Sequence, residues 1–516
     1  MTRQKAEQQR AKRCINDAAK GKAAAMRDTA CGPREEDYMS ELAFIRECIK
    51  KRKDKLIAAN DAIHDLAELS YEETGSMKVL TDLLKEEGFA VETGLANMPT
   101  CFTGRWGSGR PVMGILGEFD ALDQLSQESG NPVRKPLKEG APGHGCGHCS
   151  LGVGALAAAV ALKEYLREEG LPGTVIYYGC PAEEGAGAKQ FMARDGMFDG
   201  VDFVYTWHPD TVNAVRNSSS NAIMGANFSF YGRAAHAGAN PWLGRSALDA
   251  AELMSVGCNY LREHIEDGER VHYAYANAGG GAPNVVPDHA KVKYEVRAPK
   301  VKQMKQLFER VVKVAEGAAH MTETRMEYEI TMAFSDMENN SVLAKIASEC
   351  LQEVGAPAWD EEDYALAKAF LESYDETSAE AIRENLSNEF GEENLDEILE
   401  KPLHSEVCSY DPKHHTQEGG STDVGDVTYT VPTCELRIAS ACLGNVGHTW
   451  QMAGQSGSRL AHKGLLTAGE AIALSCIRTM QRPEELEKAK KETLLRNGGK
   501  YSCPLPDTVK PPVGRY

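Results

Sequence analysis

Positive charge is in short supply. The 57 Lys and Arg face 76 Asp and Glu, a formal net charge of −19 at pH 7. Neither a nucleic-acid backbone nor an anionic membrane is served by that excess of carboxylate, so neither partner is expected. An acidic substrate stays open, since one local cation can bind it. Long apolar runs are missing too. The longest, Gly152 to Leu162, is Ala-rich and stops at Lys163, short of the ~20 residues that span a bilayer, so a buried helix is expected. Met1 to Lys22 is dense in charge and has no apolar leader core, and fourteen cysteines are scattered along the chain. Reduced thiols in a cytoplasmic protein are the expectation. Internal repeats are absent, and so are G-x-x-x-x-G-K-[ST], H-E-x-x-H and G-x-S-x-G. That argues against a P-loop enzyme, one class of zinc protease and a serine hydrolase.

What is present reads as an α/β protein of more than one domain, since 516 residues exceed a single compact core. Residues 1–34 form a charged extension. Helical periodicity follows from Glu35 to about Ser70 and from Met77 to Gly88. Short apolar strands at Pro111–Leu116, Thr174–Tyr178 and Phe203–Thr206 alternate with helices at Ser150–Glu168 and Ala188–Asp195. This predicts a mainly parallel sheet covered by helices. From residue 222 the order becomes β-α-β-β-α-β, through strands near Ile223–Tyr231, Val271–Ala276, Ala290–Val296 and Thr324–Met332. That is a ferredoxin-like α+β insert. The division is therefore 35–221 with 336–516 as one discontinuous domain and 222–335 as an inserted second domain. Residues 340–400 read as a solvated, acidic helical excursion.

Four loops concentrate unusual residues. In Gly143-His144-Gly145-Cys146-Gly147-His148-Cys149, glycine lets a thiolate and an imidazole two positions apart converge on one metal. Cys180-Pro181-Ala182-Glu183-Glu184-Gly185 follows a strand, and adjacent carboxylates there repel unless cations neutralise them. One can ligate while its neighbour moves protons. Thr206-Trp207-His208-Pro209 and Gly444-Asn445-Val446-Gly447-His448 each add a His. Any one loop could be structural; together they point to a metal site beyond the carboxyl ends of the strands.

These residues resemble the metallo-aminoacylase and glutamate-carboxypeptidase family, more narrowly its auxin-conjugate and hippurate amidohydrolase branch. The shared stretches include Gly117 to Leu122, Pro136 to His148, Tyr178 to Gly187, Ala235-His236-Ala237, Pro283-Asn284-Val285-Val286 and Ser421 to Val427. The resemblance implies two divalent ions, Mn or Zn, on Cys146, His148, Glu184, His208 and His448. It implies Glu183 as general base and Asp120 as a carboxylate orienting a ligand. It implies that the discontinuous domain is the catalytic one and the insert the dimerisation domain. It also implies that His236, Asn284 and Arg297 hold the substrate carboxylate or the oxyanion, with His236 and Asn284 serving a partner's site in a homodimer or a heterodimer of related subunits. The substrate implied is a small N-acyl amino acid of the aminobenzoyl-glutamate type. Rival substrates are another N-acyl amino acid, such as indoleacetyl-aspartate, or a dipeptide. A non-catalytic partner of a related hydrolase is the rival from another class. One departure is Cys149, where the family usually has Asp or Asn.

Overall fold

The computed structural model describes residues 40–413 and 415–514; the extension over 1–34 lies outside them. In chain order the strands are β1 (Ala90–Thr93), β2 (Phe102–Ser108), β3 (Val112–Glu118), β4 (Gly173–Cys180), β5 (Phe203–Asp210), β6 (Ala214–Val215), β7 (Ser218–Ser219), β8 (Ala222–Tyr231), β9 (Arg270–Asn277), β10 (His289–Ala298), β11 (Arg325–Phe334), β12 (Thr416–Gln417) and β13 (Thr433–Ala439). A seven-stranded sheet has the order β1-β2-β4-β3-β5-β13-β6. Its middle four strands are parallel, while β1, β2 and β6 pair antiparallel at the edges. Strands buried on both faces read as unbroken apolar runs. Every residue of β4, and all but the first of β3, is buried.

The helix His148–Glu168 lies against this sheet and against the helix Arg459–Met480. It is long and apolar enough to cross a membrane by length and composition, and it is buried from His148 to Leu166. Its Ala and Gly content is what lets it sit so close: a Cβ on Gly154 would lie 2.8 Å from the Trp207 ring. Leu151, Val153, Leu156, Val160 and Leu162 are each buried on it, at about 1.5–3 kcal/mol apiece. The opening helical stretch is two helices, Glu41–Lys50 and Lys53–Leu66.

Strands β8 to β11 form a second, antiparallel sheet in the order β11-β8-β10-β9. Helices Ala247–Leu261 and Val301–Thr322 pack against it. The latter buries Met304, Leu307, Phe308, Val311, Ala315 and Ala318, the three-and-four spacing of one helix face. The β-α-β-β-α-β order is the ferredoxin-like one. Among the strands that the pattern did not suggest are β2 and β13, beside the two-residue β6, β7 and β12. Strand β13 reads Thr-Cys-Glu-Leu-Arg-Ile-Ala, and its charges break the apolar run. Both are paired: Glu435 with Arg216 at 3.0 Å and Arg437 with Asp210 at 3.0 Å.

Candidate metal centre

Parallel pairing brings the carboxyl ends of β3, β4, β5 and β13 to one rim. Just beyond β3 lies Asp120, and beyond β4 lie Glu183 and Glu184. His208 stands near the end of β5, and the loop after β13 carries His448. Cys146 and His148 arrive from the turn into the central helix. Gly147 there has a φ of +80°, a left-handed conformation that favours glycine. A cleft of about 430 Å³ is lined by Cys146, Glu183, Glu184, His208, His448 and Glu118 among others, with Asp120 and His148 buried behind it.

The hydrogen bonds fix which atoms face inward. His148 donates from Nδ1 to Asp120 Oδ1 at 2.9 Å, and His208 donates from Nδ1 to the Pro209 carbonyl at 2.7 Å. Both therefore turn Nε2 inward, the arrangement by which an outer acceptor orients a ligand; on His208 that nitrogen is bare, and on His148 a cation would take the place of a proton. Cys146 Sγ lies 3.4 Å from His208 Nε2. His448 Nε2 lies 3.5 Å from Glu184 Oε1. Asp120 uses its other oxygen to accept the Glu184 N–H at 2.9 Å, so one buried carboxylate orients two of the candidate ligands. Ala182, before the acid pair, holds a φ of 60°. Its N–H is tied at 2.9 Å to buried Glu73, whose carboxyl is pushed up to about 8 by burial and by Asp120.

Three sets of donors each lie within 4.8 Å of one another: Cys146, His148 and His208; Cys146, Glu184 and His448; and Glu118, His148 and Glu183. His148 Nε2 and Glu184 Oε1 are buried without a hydrogen-bond partner. Buried polar atoms left unpaired are costly, and a cation between them removes the cost. Electrostatics point the same way. Burial, then Glu118 and Glu184, drive the Glu183 carboxyl well above its ordinary value. Burial and the charge on Glu184 raise the Cys146 thiol. Burial disfavours charge on His148, but Cys146, Asp120 and Glu118 outweigh it and hold the imidazole well above its usual range. Carboxylates dominate the surroundings of all three groups, so the donor set fits divalent cations.

The remaining expected site residues lie apart. His236 and Asn284 are exposed and adjoin each other, with the Ala237 N–H donated to the Asn284 carbonyl at 2.9 Å. Neither lines the cleft. His236 Nδ1 accepts the Gly238 and Ala239 N–H groups at 3.1 Å, which leaves Nε2–H free to donate. Arg297 reaches only the cleft's edge, donating to Ser421 Oγ at 3.2 Å. Cys149 is buried, and its Sγ points to the Ser456 carbonyl at 3.5 Å; it takes no part in the cleft.

The motifs did not reveal one feature. Lys189 is wholly buried and bridges Glu118 and Asp423 at 2.6 Å each. Glu118 in turn lies 3.3 Å from His148 Nε2. An acid at the end of a strand, two residues before Asp120, was the available signal. Further out, Arg216 and Arg437 clasp Glu418 at 2.6 and 3.0 Å on the cleft wall.

Residues 114–393 match the model of peptidase family M20/M25/M40. The chain is 38% identical to one of the subunits of p-aminobenzoyl-glutamate hydrolase from Escherichia coli K12, over 91% of this chain and 98% of that one. It is 33% identical to a different subunit of the same hydrolase from the same organism, over 51% of this chain and 63% of that one. It is 28% identical to human Xaa-Arg dipeptidase, over 90% and 95% respectively. Among solved structures, a Bacillus subtilis dinuclear metal-binding peptidase of the M20 family superposes with a TM-score of 0.54 at 17% identity, covering 84% of this chain and 99% of that one. With a matched model spanning over half its length and a relative 38% identical over 91% of it, this chain belongs to peptidase family M20/M25/M40.

Proposed function

We propose that this M20-family hydrolase cleaves the amide bond of N-acyl amino acids, p-aminobenzoyl-glutamate foremost. The observation that carries the proposal is the pair of unpaired buried polar atoms, His148 Nε2 and Glu184 Oε1, beside Cys146, His208 and His448. Those five residues would hold two divalent ions, with manganese and zinc both suited to mixed thiolate, imidazole and carboxylate ligands. When bound, the ions supply Lewis acidity that polarises the amide carbonyl and acidifies water. The chain's own residues do the rest. Glu183 takes the proton of the attacking water and returns it to the leaving nitrogen. Asp120 keeps His148 and Glu184 in place. Arg297 offers a planar fork to the substrate carboxylate, and His236, through Nε2–H, stabilises the oxyanion.

His236 and Asn284 lie outside their own cleft, which supports their service to a partner's site. The two E. coli relatives are named as different subunits of one hydrolase. That naming supports a related chain, beside a second copy of this one, in the role of partner. Residues 222–335 would then be the inserted dimerisation domain, and 35–221 with 336–516 the catalytic one. Free cysteines throughout the described residues support a reducing, cytoplasmic setting.

A second substrate class has one observation in its favour. On the cleft wall, Asp210, Glu418 and Glu435 outnumber Arg216 and Arg437, which suits a dipeptide with a cationic end, in keeping with the dipeptidase relative. The test measures release of p-aminobenzoate beside hydrolysis of indoleacetyl-aspartate and Xaa-Arg dipeptides, in metal-stripped and Mn- or Zn-reloaded protein. Activity only after reloading, greatest on p-aminobenzoyl-glutamate, is expected. Full activity in the stripped protein would refute the metal reading.

A further inference from the structure

The acidic stretch after residue 340 contains the helices Glu361–Leu371, Glu376–Phe390 and Leu395–Glu400. They share a small apolar core of their own, with Phe370, Leu371, Ile382, Leu386 and Leu395 buried. Cys442 and Leu443 are part of that same core, and both belong to the loop that carries His448. Gly444 is held against it: its φ is +79°, and a Cβ there would lie 2.5 Å from Ile382 Cγ2. Tyr374, between the first two helices, reaches the loop directly. Its hydroxyl accepts the Val446 N–H at 2.9 Å and donates to Asn445 Oδ1 at 3.3 Å. Gln455 holds the same Asn445 oxygen at 2.8 Å.

His448 needs such support. Its side chain is 59% exposed, so packing does not lock it. Its backbone φ is 58°, a left-handed conformation that persists in a non-glycine residue only when the surroundings impose it. Its own N–H is tied to the Gly145 carbonyl at 2.9 Å, one residue from Cys146. One end of the loop is therefore pinned to the Cys146 turn and the other to the acidic helices.

We propose that the helices over 361–400 brace the His448 loop and that Tyr374 is a positioning residue for His448. This rests on the reading of His448 as a metal ligand given above. Outer partners of metal ligands are worth about 10–100-fold in metal affinity. Tyr374 acts through Val446 and Asn445, one step further out, so the lower end, about 10-fold, is expected at one of the two ions.

The experiment uses the full chain with cobalt(II) as probe. Bound cobalt is followed by its visible absorption against a competing chelator, and thermal unfolding reports the fold. Tyr374→Phe keeps the ring in the small core and removes only the hydroxyl. Leu386→Ala loosens that core from another side, and exposed Glu384→Gln is the control. His448→Ala should lose one ion. Tyr374→Phe and Leu386→Ala should retain two, one of them bound about 10-fold more weakly, and the control should match wild type. If His448→Ala loses an ion while Tyr374→Phe titrates like wild type, the brace is wrong and the metal centre stands. If His448→Ala keeps both ions, the ligand assignment falls and the brace with it. Equal weakening of both ions by Tyr374→Phe would show general damage and would also overturn the proposal.

Discussion

Replacing Asp120 with Ala tests the centre at its most heavily used carboxylate. Asp120 is fully buried. One oxygen takes the His148 Nδ1–H at 2.9 Å and the other the Glu184 N–H at 2.9 Å. Ala leaves both donors buried and unpaired, at about 1–3 kcal/mol each, so about 2–6 kcal/mol of stability should go. Against a typical total of about 5–15 kcal/mol that is a large fraction. Asp120→Asn keeps the volume and one acceptor, so about half the loss is expected. Urea unfolding of metal-stripped protein isolates this contribution from metal binding. A separate metal titration should then show affinity falling about 10–100-fold, since His148 is no longer oriented. If stripped Asp120→Ala unfolds within about 0.5 kcal/mol of wild type, the ordinary range for an uninvolved surface change, the reasoning fails.

Glu183→Gln should keep its metal and lose about 10²–10⁴-fold in rate, whereas Glu184→Gln should lose metal; equal metal content by elemental analysis would contradict the division of roles. Asp426 is pushed up to about 7 by burial, against about 3.9 in the unfolded chain. Its contribution to stability is thus full below about pH 4 and lost as pH rises toward 7. The Tm of wild type relative to Asp426→Asn should fall across that window and then level off, and parallel Tm profiles would refute the assignment. Mixing Glu183→Gln with His236→Ala chains, each inactive alone, should restore activity toward half the wild-type rate per dimer. No recovery in mixed dimers verified by native mass spectrometry would place His236 within its own chain's chemistry or outside it altogether.

Much of the architecture was readable because periodicity reports burial. The parallel strands β3, β4 and β5 are apolar runs, and the helix Val301–Thr322 shows a clean stripe. Strand β13 was not readable, because Glu435 and Arg437 look like surface residues until Arg216 and Asp210 arrive from elsewhere in the chain. The Cys146 and Glu183 loops stand out since their composition is costly without a ligand. Lys189 carries no such mark. It sits in an ordinary short helix, and its role depends on Asp423, 234 residues later. Nor could spacing tell that His236 and Asn284 lie outside the lining of their own cleft, since a β-α-β-β-α-β pattern does not say how its sheet is aimed.

The pairing of β13 beside β5 has a consequence for biosynthesis. Arg437 and Asp210, neighbours across that pair, stand 227 residues apart in the chain. Contacts of such long range are entropically late to form. Cys146 and His148 leave the ribosome early, whereas the strand that completes the rim, and His448 behind it, emerge among the final segments. For much of its synthesis the polypeptide carries Cys146, His148, Glu184 and His208 while His448, the last of the five candidate ligands, is still unmade. On the proposed ligand set, capture of both ions would be deferred until translation is almost over, and a chain truncated before residue 433 would display the early donors without ever closing the rim around them.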